Sequence, residues 1–142
     1  MSQILWATGY QLNVCLIQFI KGSWKYVELF SKKRFNDLLD FYAMGREFTF
    51  KSENLKKDKN IADKGWKIAK AAMTSDKYFV VILDELTYLL NNGFIDTDEV
   101  MECIQKRRRN LHVIITGRDA PRPIIEAVDM LTTLRTNRSS IH

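Results

Sequence analysis

The chain has 142 residues, 46% of them hydrophobic and 27% charged, with a formal net charge of +5. That length suits one domain with a real core, and the balance is that of a soluble globular protein, not a disordered or fibrous one. No apolar run approaches the roughly 18 residues of a membrane span, and the N-terminus shows no basic region, apolar core and small-residue cleavage site, so neither spanning nor secretion is expected.

Residues 2–9 read as the end of a helix, with Gly9 as its stop. Residues 14–20 are β-rich and nearly all apolar, a buried strand, followed by a Lys21-Gly22-Ser23-Trp24 loop at its carboxyl end. Residues 28–39 mix apolar and charged side chains at helical spacing, and residues 39–43 form a short strand. Residues 44–51 are a loop carrying Phe48 and Phe50. Residues 54–73 are helical, with Ile61, Ile68 and Ala72 on one face. A strand follows over residues 78–83, and then Asp96 and Glu99 form a capping box for a helix reaching about Lys106. Residues 111–116 are another β-branched strand, Pro121 and Pro123 sit in a first helical turn, and residues 130–134 make a last short strand. Strands alternating with helices argue for a layered α/β fold with a largely parallel sheet in a single domain.

The strand at 78–83 runs directly into Asp84 and Glu85. Ligands of open α/β sheets lie outside the carboxyl ends of the strands. A pair of acids there can hold a magnesium–nucleotide complex and set a carboxylate beside the phosphate chain, as the second acidic motif of P-loop proteins does. Two other strand ends carry polar groups, Lys21-Gly22 and Thr116-Gly117-Arg118, and topology brings such ends to one edge. The planar fork of Arg118 suits phosphate oxygens, although a surface arginine opening a loop reads the same way.

The run Lys106-Arg107-Arg108-Arg109 reads as a solvated helix end whose cations complement the helix dipole, with a nucleic-acid patch as the alternative. The net charge of +5 suits an anionic ligand such as a nucleotide and equally weak nucleic-acid contact. His112 has no neighbouring His or Cys and reads as structural. Cys15 and Cys103 lie in apolar runs without metal-ligand spacing, which predicts reduced thiols and a cytoplasmic protein. Phe48 and Phe50 alternate about Thr49, so both face core or, alternatively, a flat hydrophobic ligand.

Taken in order, Gln18-Phe19-Ile20-Lys21-Gly22, Met44-Gly45 with Phe48-Thr49, Leu83-Asp84-Glu85-Leu86-Thr87-Tyr88 and Thr116-Gly117-Arg118 resemble the ATP:corrinoid adenosyltransferases, over about residues 4–135. The resemblance implies a three-layer P-loop NTPase-like fold, usually a homodimer. It implies transfer of the 5′-deoxyadenosyl group of ATP to Co(I) of a corrinoid in adenosylcobalamin synthesis, with release of triphosphate. By the same resemblance Asp84 and Glu85 serve as catalytic residues, with Asp84 on Mg2+. Lys21, Thr116 and Arg118 bind the nucleotide, and Phe48 and Phe50 lie beside the corrin. A separate flavin-containing donor supplies the electron.

The chain departs from the family pattern at Glu47, where glycine is usual, at Phe50, where tryptophan is usual, and at Val27, where glycine is expected. It also opens at Met1-Ser2-Gln3 on what resembles the helix after the phosphate loop, so the first strand and that loop are expected to be missing. In the family the missing strand lies inside the sheet, so unpaired backbone is expected beside it. Loss of the loop's several donors is expected to lower ATP turnover by several orders of magnitude. Two other readings stand beside the enzyme: a non-catalytic remnant that binds corrinoid or a partner, and a basic nucleic-acid-binding module.

Overall fold

The computed structural model describes residues 11–20, 38–44 and 55–131. The elements run β1 (Val14–Gln18), β2 (Leu39–Ala43), α1 (Leu55–Thr74), β3 (Val80–Asp84), α2 (Leu86–Asn91), α3 (Thr97–Lys106), β4 (His112–Ile115) and α4 (Arg122–Ala127). The strands form one four-stranded sheet in the order β2-β1-β3-β4, and every pairing is parallel. This is the expected α/β architecture. The expected gap does not fall among these strands: β1 bonds directly to β3, in register from Val14 opposite Val80 to Gln18 opposite Asp84. Among the described residues β4 is an edge, and its residues are half-buried or exposed.

Side chains alternate across a strand, so each strand feeds two faces. Cys15, Ile17 and Phe19 join Val81 and Leu83 in one core, packed against Ala62, Trp66, Ala69 and Met73 of α1, Leu86 and Leu89 of α2, Val100 of α3 and Ile124 of α4. Val14, Leu16, Leu39, Val80 and Ile82 make a second, smaller core on the opposite face. The described helices thus share one side of the sheet. Residues 2–9 and 28–37, read as helical from sequence, lie outside the described residues.

The stripe of α1 that reaches the sheet is Ala62, Trp66, Ala69, Ala72 and Met73, while Ile61 and Ile68 pack only at its border. Three of these five are alanines, and the helix comes in close at Gly65. A Cβ on Gly65 would lie 2.9 Å from the Phe19 ring and 3.1 Å from Met44. The capping box is half formed. Asp96 caps α3 by accepting from the Asp98 amide at 3.0 Å, but Glu99 instead binds Lys70 of α1 at 2.8 Å. At α4, Pro121 is the N-cap and Pro123 sits in the first turn, where a missing N–H costs nothing. Met130 and Leu131 are irregular, and the rest of the expected last strand lies outside the described residues.

A polar clamp ties β2 to the approach of β3 across β1. The Asp40 carboxylate accepts from the Tyr78 hydroxyl and, at 2.7 Å, from the Lys77 ammonium. Burial pushes the Asp40 carboxyl up, but those two bonds outweigh it and hold it below the usual carboxylate range. Cys15 lies opposite Asp40, and burial above all, with the Asp40 charge, pushes its thiol up to about 12. Both cysteines are free thiols, Cys15 buried and Cys103 half-buried.

The basic run is largely consumed by the fold. The Arg107 guanidinium donates to the carbonyls of Ile104 (2.9 Å) and Leu111 (3.1 Å), capping the end of α3. Arg108 donates to the carbonyls of Ser75 and Tyr78, and Lys106 pairs with Glu102 one turn back. His112 is exposed and packs its ring 4.8 Å from that of Phe79.

Candidate functional site

The carboxyl ends of β1, β3 and β4 meet at one edge, where Gln18, Asp84 and, one residue past β4, Thr116 fall on the same face. Val80 and Ile82 point to the smaller core, so Asp84, two residues on, points to that side at the strand terminus. Gln18 continues Val14 and Leu16 in the same way and lies directly opposite Asp84. Thr116 continues from Ile114 and closes the row, its amide donating to the Leu83 carbonyl at 3.2 Å.

The Thr116 hydroxyl organises the acids. It donates to Asp84 Oδ1 at 2.7 Å and accepts from the Glu85 amide at 3.0 Å. Asp84 is only 3% exposed, so this bond fixes a carboxylate that water barely reaches. Glu85 stands in the left-handed region (φ 61°), a conformation that costs energy in a side chain of its size and persists only where the surroundings enforce it. The Thr116 bond is part of that enforcement. It turns the chain sharply from β3 into α2. Burial pushes the Glu85 carboxyl up, the Asp84 charge adds to this, and the Arg118 guanidinium opposes it.

The loop after β4 is fastened to α2 at two points. Gly117 (φ 146°) lies so close to Thr87 that a Cβ there would fall 1.7 Å from the Thr87 hydroxyl oxygen. The Asn91 side-chain amide donates to the carbonyls of Arg118 (3.4 Å) and Asp119 (2.8 Å), and Asp119 is itself left-handed at φ 50°. Arg118 is exposed and within electrostatic reach of Glu85. A short row results: a neutral amide, a fixed carboxylate, a hydroxyl, a half-buried second carboxylate and a guanidinium. Oxygen donors of this kind suit a hard cation held with phosphate oxygens, since Mg2+ takes only one or two carboxylates and otherwise uses phosphates and water. Among the described residues no three or more His, Cys, Asp or Glu cluster as a metal cage.

Asp84, Glu85, Thr116 and Arg118, picked from sequence, thus come together. Lys21, Phe48 and Phe50 lie outside the described residues. Sequence reading gave no role to Gln18, Thr87 or Asn91. For Gln18 a signal was available, because it is the one polar residue inside the apolar run at 14–20. Thr87 and Asn91 carried none, since their relation to the loop after β4 is tertiary. No described helix is long and apolar enough to cross a membrane.

Known proteins give an independent comparison. The profile of a family described as ATP:corrinoid adenosyltransferase BtuR/CobO/CobP matches residues 1–142. A corrinoid adenosyltransferase of Pseudomonas aeruginosa is 34% identical over 128 residues, 90% of this chain and 63% of that protein. The corrinoid adenosyltransferase of Sinorhizobium sp. is 32% identical over 89% of this chain and 60% of its own length. That of Escherichia coli K12 is 32% identical over 91% of this chain and 65% of its own length. The chain therefore spans 60–65% of the length of these relatives.

Proposed function

The chain belongs to the ATP:corrinoid adenosyltransferase family, and from that membership we propose that the protein transfers the 5′-deoxyadenosyl group of ATP to Co(I) of a corrinoid. The bond formed is cobalt–C5′, made with the electron pair of the reduced corrinoid substrate. The bond broken is C5′–O, and triphosphate leaves with its electrons. The observation that carries this reading is the family match over residues 1–142, and the Thr116 hydroxyl, which donates to Asp84 Oδ1 (2.7 Å) and accepts from the Glu85 amide (3.0 Å) at the ends of two paired parallel strands, supports its nucleotide part.

The work of the protein is positioning and charge balance. Asp84 and Glu85 would hold Mg2+, which when bound neutralises the phosphate chain of the leaving group. Thr116 orients Asp84 and keeps the sharp turn at Glu85. Arg118 meets phosphate oxygens with its planar fork. Lys21 contributes to the nucleotide site, and Phe48 and Phe50 line the corrin. The same reading takes the electron from a flavin-containing donor and the active protein as a cytoplasmic homodimer.

The test supplies the protein with MgATP and cobalamin chemically reduced to Co(I), and follows the visible spectrum of the adenosylated product together with triphosphate release. We expect product from the wild type at the low turnover expected from its sequence, and a rate lower still by at least ~10²-fold in Asp84→Asn. A wild-type protein that yields none with Co(I) supplied overturns the proposal. A spectral change of the corrinoid without turnover would instead support a binding role.

A further inference from the structure

Among the described residues, Gln18 is a buried site-row side chain whose amide nitrogen makes no hydrogen bond to the protein. It is 7% exposed, and its Nε2 is buried and makes no hydrogen bond. Buried amides are almost always satisfied, and leaving one unmade lowers the stability of the empty fold. Its backbone is fully used, for the carbonyl accepts from the Met44 amide at 2.9 Å. Only the side chain is idle, and it stands in register with Asp84, on the same face and one strand spacing away.

We infer that Gln18 is a nucleotide-binding residue whose side-chain amide donates to an oxygen of the phosphate chain. This rests on the nucleotide reading above and adds a contact that the acids cannot make. Its neighbours Asp84 and Glu85 offer acceptors, which suit a hydrated cation. An NH2 group offers hydrogens only, and so needs an acceptor-rich partner. A phosphate oxygen is such a partner, and beside two carboxylates it is tolerated when a divalent cation accompanies it. The amide carries no charge, so it binds that oxygen without adding a cation that would pair with Asp84 in the empty site. In the apolar run Val-Cys-Leu-Ile-Gln-Phe-Ile, the polar residue falls at the one β1 position that reaches the edge.

The experiment compares wild type, Gln18→Met and Gln18→Glu, measuring the unfolding midpoint without nucleotide and the Kd for MgATP by calorimetry. Methionine keeps the length and removes the hydrogens. We expect its midpoint without nucleotide to equal or exceed that of wild type, and its Kd to be weaker by about tenfold or more. Glutamate keeps the shape and replaces the donor with a negative charge, and is expected to bind more weakly still. A Kd within twofold of wild type in Gln18→Met overturns the inference and leaves the nucleotide reading standing. So does a lowered midpoint with unchanged affinity, which marks a structural amide. If the methionine variant does not fold, wild-type affinity in Gln18→Glu overturns it. A wild type that binds no MgATP overturns the nucleotide reading and this inference with it.

Discussion

Thr116→Val is the most direct probe of the site. The substitution keeps the shape of the side chain and deletes one hydroxyl, which serves two partners. Its bond to Asp84 Oδ1, at 2.7 Å, is made to a carboxylate only 3% exposed. Hydrogen bonds to charged groups contribute about 1.5–3 kcal/mol, and a buried carboxylate that loses one keeps its desolvation cost. Its second partner, the Glu85 amide at 3.0 Å, loses an acceptor in a half-buried turn, for about 1 kcal/mol more. The two losses share one oxygen and are not independent, so we expect a total of about 2–4 kcal/mol in urea unfolding at pH 7. Thr116→Ser keeps the hydroxyl and is the control, with a loss of about 1 kcal/mol from the missing methyl. With Glu85 no longer held at φ 61°, MgATP affinity should fall in the valine variant and persist in the serine variant. Equal stabilities for valine and serine would refute the claim that the hydroxyl organises the acids.

Gly117→Ala is expected to cost at least ~2 kcal/mol in chemical denaturation, because φ 146° is strained for alanine and the new Cβ meets the Thr87 hydroxyl at 1.7 Å. Adding Thr87→Ala should recover only part of the loss, since the Thr87 Cβ stays 2.8 Å from the same point; full additivity would show that the two do not touch. Asp40→Asn should lower stability by about 1 kcal/mol at pH 7, chiefly through the Tyr78 bond, because the half-exposed Lys77 partner is screened. The folded-state carboxyl is held below its usual value of 3.8, so this stabilisation is present above that pH and is lost as the pH falls through the folded value. The difference between wild type and variant in urea midpoints should therefore shrink toward pH 3, and a constant difference would sink the assignment. Arg108→Ala should cost about 2 kcal/mol through the Ser75 and Tyr78 carbonyls it leaves, whereas exposed Arg109→Ala should stay within ~0.5 kcal/mol in the same unfolding assay.

What could be read in advance followed from period and composition. Continuous β-branched or apolar runs marked β1, β3 and β4; β1 and β3 are buried on both faces, so no polar alternation obscures them, while β4 keeps its apolar run although it is half-buried or exposed. The acids at 84 and 85 were legible because charge after such a run has only one place to go, the strand end. Glu99 misled, because a spacing suited to a capping box also suits an interhelix pair, and Lys70 arrives from a residue 29 positions away. Of the α1 residues read at helical spacing, Ala72 lies in the core, while Ile61 and Ile68 pack at its border. Gly65 lets the helix approach so closely that alanines at 62 and 69 take the contact instead. No local pattern encodes the fastening of Gly117 to Thr87, which needs α2 and β4 to be placed first.

The same logic explains why the site row is stable enough to exist. A strand that ends in a polar side chain places it at the rim of an apolar layer, where one more residue inward would bury it fully. Val14, Leu16 and Gln18 follow one line on the face of β1, and Val80, Ile82 and Asp84 follow the parallel line on β3. The first two members of each line build the smaller core, and the third turns toward chemistry. Because the strands are parallel and in register, two such lines end at the same height, and Thr116 beyond β4 makes a third. A one-residue slip of β1 against β3 would move Gln18 to the helix side and bring Ile17 or Phe19 beside Asp84. Gln18 and Asp84 are thus adjacent because the apolar residues before them are packed, and core substitutions such as Leu16→Ala should weaken MgATP binding as well as the fold.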